Sequence, residues 1–293
     1  MATVRVGYHF HLMNAYWALF HGNENKARLL VQNFVKKIPV AVLVYTQHSD
    51  LLLGTYNGKR CCDSLYMMLQ EEAKRHNITT FRGVEVSCVF PDHPEAIHLG
   101  VIPYDQSLKT FEWFLQPTTT GLNHFLPYAR KGHQQHLFRV AEVFDRFYGK
   151  AAIIANHPQL HTAELQRKFV SLIDTYSLPV EWNMNEHLAR WVFPSAWWYC
   201  GREQFPASSV LGWDIHSTHI NKNLTVMTLD SPSVEASEFL PVLAKGNGVF
   251  SPFKKTLLGF IRNILYLVLE VINGFKEGVI RKKINRSSTV KKD

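Results

Sequence analysis

The chain has only four cysteines in 293 residues, Cys61, Cys62, Cys88 and Cys200, and no two of them form a Cys-x-x-Cys pair. That spacing argues against a thiolate zinc clasp or a disulfide framework. With no cleavable leader ahead of the first strand, the expected setting is a reducing cytoplasm. Adjacent Cys61 and Cys62 read as two small residues entering a helix. Low-complexity tracts are also absent, and an apolar fraction of 46% with 19% charged residues describes a globular chain with a sizeable core. No long apolar run is free of charge: segment 256–275 (TLLGFIRNILYLVLEVINGF) contains Arg262 and Glu270, each costing roughly 2.5 kcal/mol or more near a bilayer centre. Acidic residues are the scarcer charge, 24 against 32 Lys and Arg, for a net +8. From Lys254 onward ten basic residues face three acidic ones, so the tail carries +7 and the body about +1. A near-neutral body disfavours long nucleic acid, whose affinity rests on many phosphate contacts.

What the body does contain is a ladder of histidines and carboxylates. His9 and His11 lie in VGYHFHLMN, His48 in VYTQHSD, Glu85 in RGVEVS, His98 in EAIHLGV, His157 in IIANHPQL, and Asp214 and His216 in VLGWDIHS. Each sits at the end of an apolar, β-like run. Neutral imidazoles and carboxylates are ligands of borderline divalent metals such as Zn, Mn and Fe. Any one of these histidines alone reads as an ordinary core or surface residue, as do His76, His93, His124, His133, His136, His161, His187 and His219; the ordered set does not.

The runs alternate with helical periodicity. Strands are expected at Val4 to Phe10, Ile38 to Tyr45, Thr79 to Val86, Ala96 to Ile102, Ala151 to Ala155, Val180 to Trp182 and Val210 to Trp213. Helices are expected at Asn25 to Lys37, at Asp63 to His76 with Asp63 as N-cap, at His133 to Tyr148 and at Thr162 to Tyr176. No linker interrupts the ladder, so residues 1–253 read as one domain and 254–293 as a basic amphipathic helix and tail. Strands alternating with helices, with ligands at strand ends, predict a parallel α/β barrel whose site lies at the C-terminal face.

The ordered pieces HFH, TQHS, GVEVS, IHLG, ANHP and GWDIHS resemble the polymerase and histidinol phosphatase (PHP) superfamily of metal-dependent phosphoesterases. Its patterns are roughly HxH, a TDH triplet, GxE, a lone His after a strand, a His-Pro and GSDAH, and the match covers about residues 5 to 218. The resemblance implies a distorted (β/α)7-type barrel holding two or three divalent ions. It also implies the ligand set His9, His11, His48, Glu85, His98, His157, Asp214 and His216, with Glu85 bridging two metals and Glu85, Asp214 and His216 serving catalysis. His21, in FHGNENKARLLVQ, matches a ninth ligand position that follows the first motif. Glu181 and Asn183 would stand behind the ligands.

Two departures stand out. Gln47 replaces the usual acid before the second-motif histidine; it hydrogen-bonds but cannot act as a general base. Trp213 replaces the usual serine, a bulk read as narrowing the site or stacking on a substrate ring. Arg60 in YNGKRCC and Arg130 before the ANHP strand are the candidate phosphate-binding cations.

The activity expected from these residues is hydrolysis of a phosphomonoester or phosphodiester of a small molecule or nucleotide by a metal-bridging hydroxide, since a metal lowers the pKa of bound water to about 7. A catalytically weak binding subunit and a metal amidohydrolase acting on a C–N bond are the competing readings. In the tail, Leu257, Ile261, Ile264, Val268, Val271 and Phe275 recur at helical spacing. Such a helix packs on the barrel, lies in an anionic membrane surface at the inner face, or binds a partner.

Overall fold

The first strand, β1 (Ala2–Phe10), alternates exposed and buried residues where it begins and is buried throughout from Val6, the pattern of a strand covered on both faces where it ends. The structure, a computed structural model, describes residues 2–93, 96–116, 137–157, 163–183, 209–215 and 226–249, with helical positions 272, 275, 276, 279, 280 and 282–284. Around β1 the sheet runs through β2 (Val42–His48), β5 (Thr79–Val89), β6 (Ala96–Pro103), β8 (Ala151–Asn156), β9 (Val180–Asn183) and β10 (Ser209–Ile215). The pairing of β10 with β1 then closes a seven-stranded barrel. Two short hairpin strands, β3 (Thr55–Tyr56) and β4 (Lys59–Arg60), pair with each other, and β7 (Phe138–Arg139) adds to the end of β5. A last strand, β11 (Met227–Ser231), runs antiparallel along the first half of β1.

The barrel is mixed. All its strands run parallel except β6, which is antiparallel to both β5 and β8. The reason is chain length: only residues 90–95 join β5 to β6, and a parallel return needs a crossover of a dozen or more residues.

Helices α1 (Met13–Phe20), α2 (Glu24–Val35), α3 (Cys61–Arg75), α4 (Leu108–Glu112), α5 (Val140–Phe147), α6 (Ala163–Tyr176) and α7 (Ala236–Ala244) accompany the strands. At the start of α2, Asn23 Oδ1 accepts from the Lys26 N–H at 3.0 Å, satisfying one of the orphan donors of the first turn. The expected cap at Asp63 is not formed. Helix α3 begins two residues earlier with buried Cys61 and Cys62, and Asp63 accepts from Arg60 Nε and Arg82 Nη2 instead. The chain returns at its C-terminus to the same side: Ile280 and Ile284 are buried in the main core, and Lys283 Nζ lies 3.3 Å from His21 Nε2 at the end of α1. Most of the expected helix 256–275 lies outside the described residues. Among those described, no helix is long and apolar enough to cross a membrane.

Candidate metal centre

The strand register delivers the ladder to one rim. His48, the last residue of β2, pairs with Glu85 on β5; His98 on β6 pairs with Ser87 on β5 and with Asn156 on β8, one residue before His157. Because β6 is reversed, His98 near its N-terminal end reaches the rim that the other strands reach with their C-terminal halves. His9 and Asp214 come from β1 and β10, with His11 just past β1.

Three of these residues have backbone in the left-handed region: His9 (φ 60), His157 (φ 30) and Asp214 (φ 45). Non-glycine residues adopt it at a cost of order 1–3 kcal/mol, and such strain gathers at functional sites. Here it breaks the alternation of side chains along a strand. Tyr8 and His9 are consecutive, yet both face the barrel interior: the Tyr8 hydroxyl donates to Asn156 Oδ1 on β8, and His9 meets Glu85 and Glu181. Likewise Asn156 and His157 are consecutive and both touch Glu85. The β10 strand is bulged against Tyr8 and Phe10 at this level, which aims Asp214 at the same spot.

Glu85 is the hub. Its Oε1 lies 3.3 Å from His9 Nε2, 3.2 Å from His98 Nδ1 and 2.9 Å from His157 Nε2. Its Oε2 lies 2.8 Å from His48 Nδ1 and 3.4 Å from His11 Nε2. Asp214 Oδ1 stands between the two groups, 3.7 Å from His9 Nε2 and 3.3 Å from His11 Nε2. Donors bound about 2.1 Å from one tetrahedral ion lie about 3.4 Å from each other, and these separations match that spacing. His9, Glu85 and His157; His9, His11 and Asp214; and His11, His48 and Glu85 each converge closely enough to hold an ion. The buried Glu85 carboxylate is met by imidazole nitrogens at both oxygens, a setting that costs free energy unless charge satisfies it, as a shared cation would. The donor set therefore fits divalent cations.

A second layer holds the donors in place. Glu181 Oε1 lies 2.5 Å from His9 Nδ1, and its Oε2 accepts from the His157 backbone N–H at 3.0 Å. Gly212 makes this possible, since a Cβ there would sit 1.5 Å from Glu181 Oε1. Asn156 Nδ2 donates to Glu85 Oε1 at 3.4 Å while its Oδ1 accepts from Tyr8, so Tyr8 braces Glu85 through Asn156. Gln47 Nε2 donates to the His11 carbonyl, and Gln47 Oε1 accepts from the His48 backbone N–H. It ties two donor segments together without facing the cluster as an acid.

The electrostatics follow from burial and crowding. Burial opposes charge on His9, but the carboxylates of Glu181, Glu85 and Asp214 outweigh it and hold its pKa well above the ordinary histidine value. For His157, burial is likewise outweighed by the hydrogen bond and charge of Glu85, so its pKa is also raised. Burial dominates at His98 and lowers it. At Glu85 burial is overcome by His9, His48 and His98, and its pKa lies well below the carboxylate range.

Of the sequence-predicted site residues, the structure brings together His9, His11, His48, Glu85, His98, His157 and Asp214, while His216 and Arg130 lie outside the described residues. His21 is not brought to the cluster: it is exposed at the end of α1, with Nδ1 donating to the Trp17 carbonyl at 2.9 Å. Helix α1 intervenes between the first motif and this residue and carries it away. Arg60 is engaged with Asp63 at the start of α3. Trp213 neither narrows the site nor faces a substrate; it is fully buried, its ring over Gly7 and tilted against Phe10. Gly7 explains this, because the space a side chain would take there is filled by the Trp213 ring. Tyr8 and Asn156 escaped sequence reading, although each stands immediately before a ladder histidine.

No protein-family model and no curated protein matches this chain. Among solved structures it is similar to a two-domain protein from Bacteroides vulgatus containing a predicted PHP-like metal-dependent phosphoesterase, at 12% identity and a TM-score of 0.43 over 90% of this chain and 69% of that one. It is also similar to an amidohydrolase from Chromobacterium violaceum with bound sulfate and no metal, at 12% identity and a TM-score of 0.39 over 72% and 87% of the two chains. At such distances the donor set of this chain, rather than the likeness, carries the functional reading.

Proposed function

We infer that the chain is a metal-dependent hydrolase acting on a phosphomonoester or phosphodiester of a small molecule or nucleotide. The observation that supports this reading is the division of Glu85, whose two oxygens face different sets of imidazoles. His9, His98, His157 and Glu85 Oε1 would hold one divalent ion, and His11, His48 and Glu85 Oε2 a second. Asp214 would be shared, and His216 follows it in the same motif. Two such ions, when bound, supply Lewis acidity, a water of pKa about 7 and a clamp for the oxygens of an in-line displacement at phosphorus.

The chain's own residues do the rest. His9, His11 and Glu85 are wholly buried and form the floor, whereas the Asp214 side chain is 18% exposed and would mark the side from which substrate and water arrive. Glu181 fixes the His9 ring and the His157 backbone, so neither donor reorients when charge develops. The near-neutral body accords with a small substrate. Release of phosphate from a metabolite panel, with hydrolysis of a p-nitrophenyl mono- and diester in the presence of Mn, Zn or Fe, tests the reading. Turnover with at least one metal is expected. Absence of turnover while metal is bound would replace it with the weak binding-subunit alternative.

A further inference from the structure

The C-terminal residues that return to the body are two-faced. Ile280 and Ile284 are buried in the core, while Ile272, Phe275 and Val279 are 45%, 75% and 44% exposed. At 3.6 residues per turn the three exposed apolar residues fall within an arc of about 60°, and the buried pair lies well to one side of it. Lys282 flanks the arc on one edge and Lys283 then Lys276 on the other. Lys283 is held in this place by contacts with His21 Nε2 at 3.3 Å and with the Phe20 ring at 6.0 Å. Burial, with the like charge of Lys26 on α2 added to it, lowers the pKa of Lys276. An apolar stripe on a docked helix, bordered by like charges that repel one another, needs a partner that is apolar within and anionic at its surface.

We propose that this face, Ile272, Phe275 and Val279 bordered by Lys26, Lys276, Lys282 and Lys283, seats the protein on an anionic lipid bilayer. The apolar side chains enter the acyl boundary and the lysines meet the headgroups. Charge complementarity selects the lipid over an uncharged apolar partner, and the neighbouring chain adds Arg281, Arg286, Lys291 and Lys292 against Glu277 and Asp293. The barrel would sit beside the membrane rather than in it, because the opposite helix face is already committed to Ile280 and Ile284.

The test is sedimentation of the full chain with phosphatidylcholine vesicles and with vesicles that also contain phosphatidylserine. Binding is expected only to the second kind and should weaken with salt. Lys282→Glu should lower the partition coefficient by at least about fivefold, the equivalent of one lysine near such a surface, and Phe275→Glu should lower it further. Both residues are exposed, so an unchanged melting temperature is expected and verifies that each variant is folded. Equal binding of wild type and Phe275→Glu, or binding indifferent to phosphatidylserine, would overturn the proposal. So would a wild-type dimer that Phe275→Glu dissociates without any vesicle binding, which would assign the face to a second copy.

Discussion

Glu181 is the residue whose replacement most sharply separates a metal centre from a mere cluster of polar side chains. Its carboxylate makes two contacts, 2.5 Å to His9 Nδ1 and 3.0 Å from the His157 N–H. Glu181→Gln keeps the size and the second acceptor but removes the charge that fixes the His9 tautomer with its Nε2 free for a metal. A charge-assisted hydrogen bond is worth about 1.5–3 kcal/mol, equivalent to a loss of about 10- to 150-fold in an equilibrium constant. Losses of about 10- to 100-fold in metal affinity are typical when such a supporting group is removed. Competition against a chelator with a known metal constant measures the change, and Gly212→Ala offers an independent route, since its methyl would displace Glu181 Oε1. If both variants bind metal as tightly as wild type, His9 is not a ligand held by Glu181 and the reasoning fails.

Other outcomes follow from the same geometry. In metal-free protein, the raised pKa values of His9 and His157 contribute stability that is fully present below the unfolded histidine value, about 6.5, and is lost as pH rises through their folded values. The depressed Glu85 contributes stability present above the unfolded carboxylate value and lost as pH falls through its folded value. A melting temperature that declines on both sides is therefore expected for chelated protein, with metal binding releasing protons in calorimetry; a flat profile without proton release would refute it. Gly7→Ala should destabilise by about 1–3 kcal/mol through overpacking against Trp213, read from denaturant midpoints, while the metal content of the folded fraction is unchanged. His21→Ala should leave metal stoichiometry and any turnover as in wild type, and loss of a bound ion would restore His21 to the site.

Much of this was legible in the chain because the donors sit where strands end. The apolar runs IPVAVLVY and AAIIA, just before His48 and His157, located strands and ligand positions together, Glu85 fell in the strand-like stretch TTFRGVEV, and the periodicity of NKARLLVQNFVKK located α2. Helix α1 was missed because MNAYWALF is apolar nearly all round, with Met13, Ala15, Tyr16, Ala18 and Leu19 all buried, so no polar face marked its period. That omission also misplaced His21, which a strand-end reading keeps near His11. The reversal of β6 follows from the short connection at residues 90–95, which leaves no room for a parallel crossover. Trp213 and Gln47 looked like substitutions inside the site, and only the register showed one packed over Gly7 and the other tying His11 to His48. The left-handed backbone at His9, His157 and Asp214 has no sequence signature, because glycine, its usual marker, is absent from those positions.

The proposed polynuclear centre depends on Glu85, whose two oxygens face two groups of imidazoles. Elemental analysis of protein purified without added metal, beside the Glu85→Gln variant, tests it most directly. At least two divalent ions per wild-type chain are expected, with more than one of them lost in the variant. One ion per chain in the wild type, or a variant that retains the full complement, would contradict it.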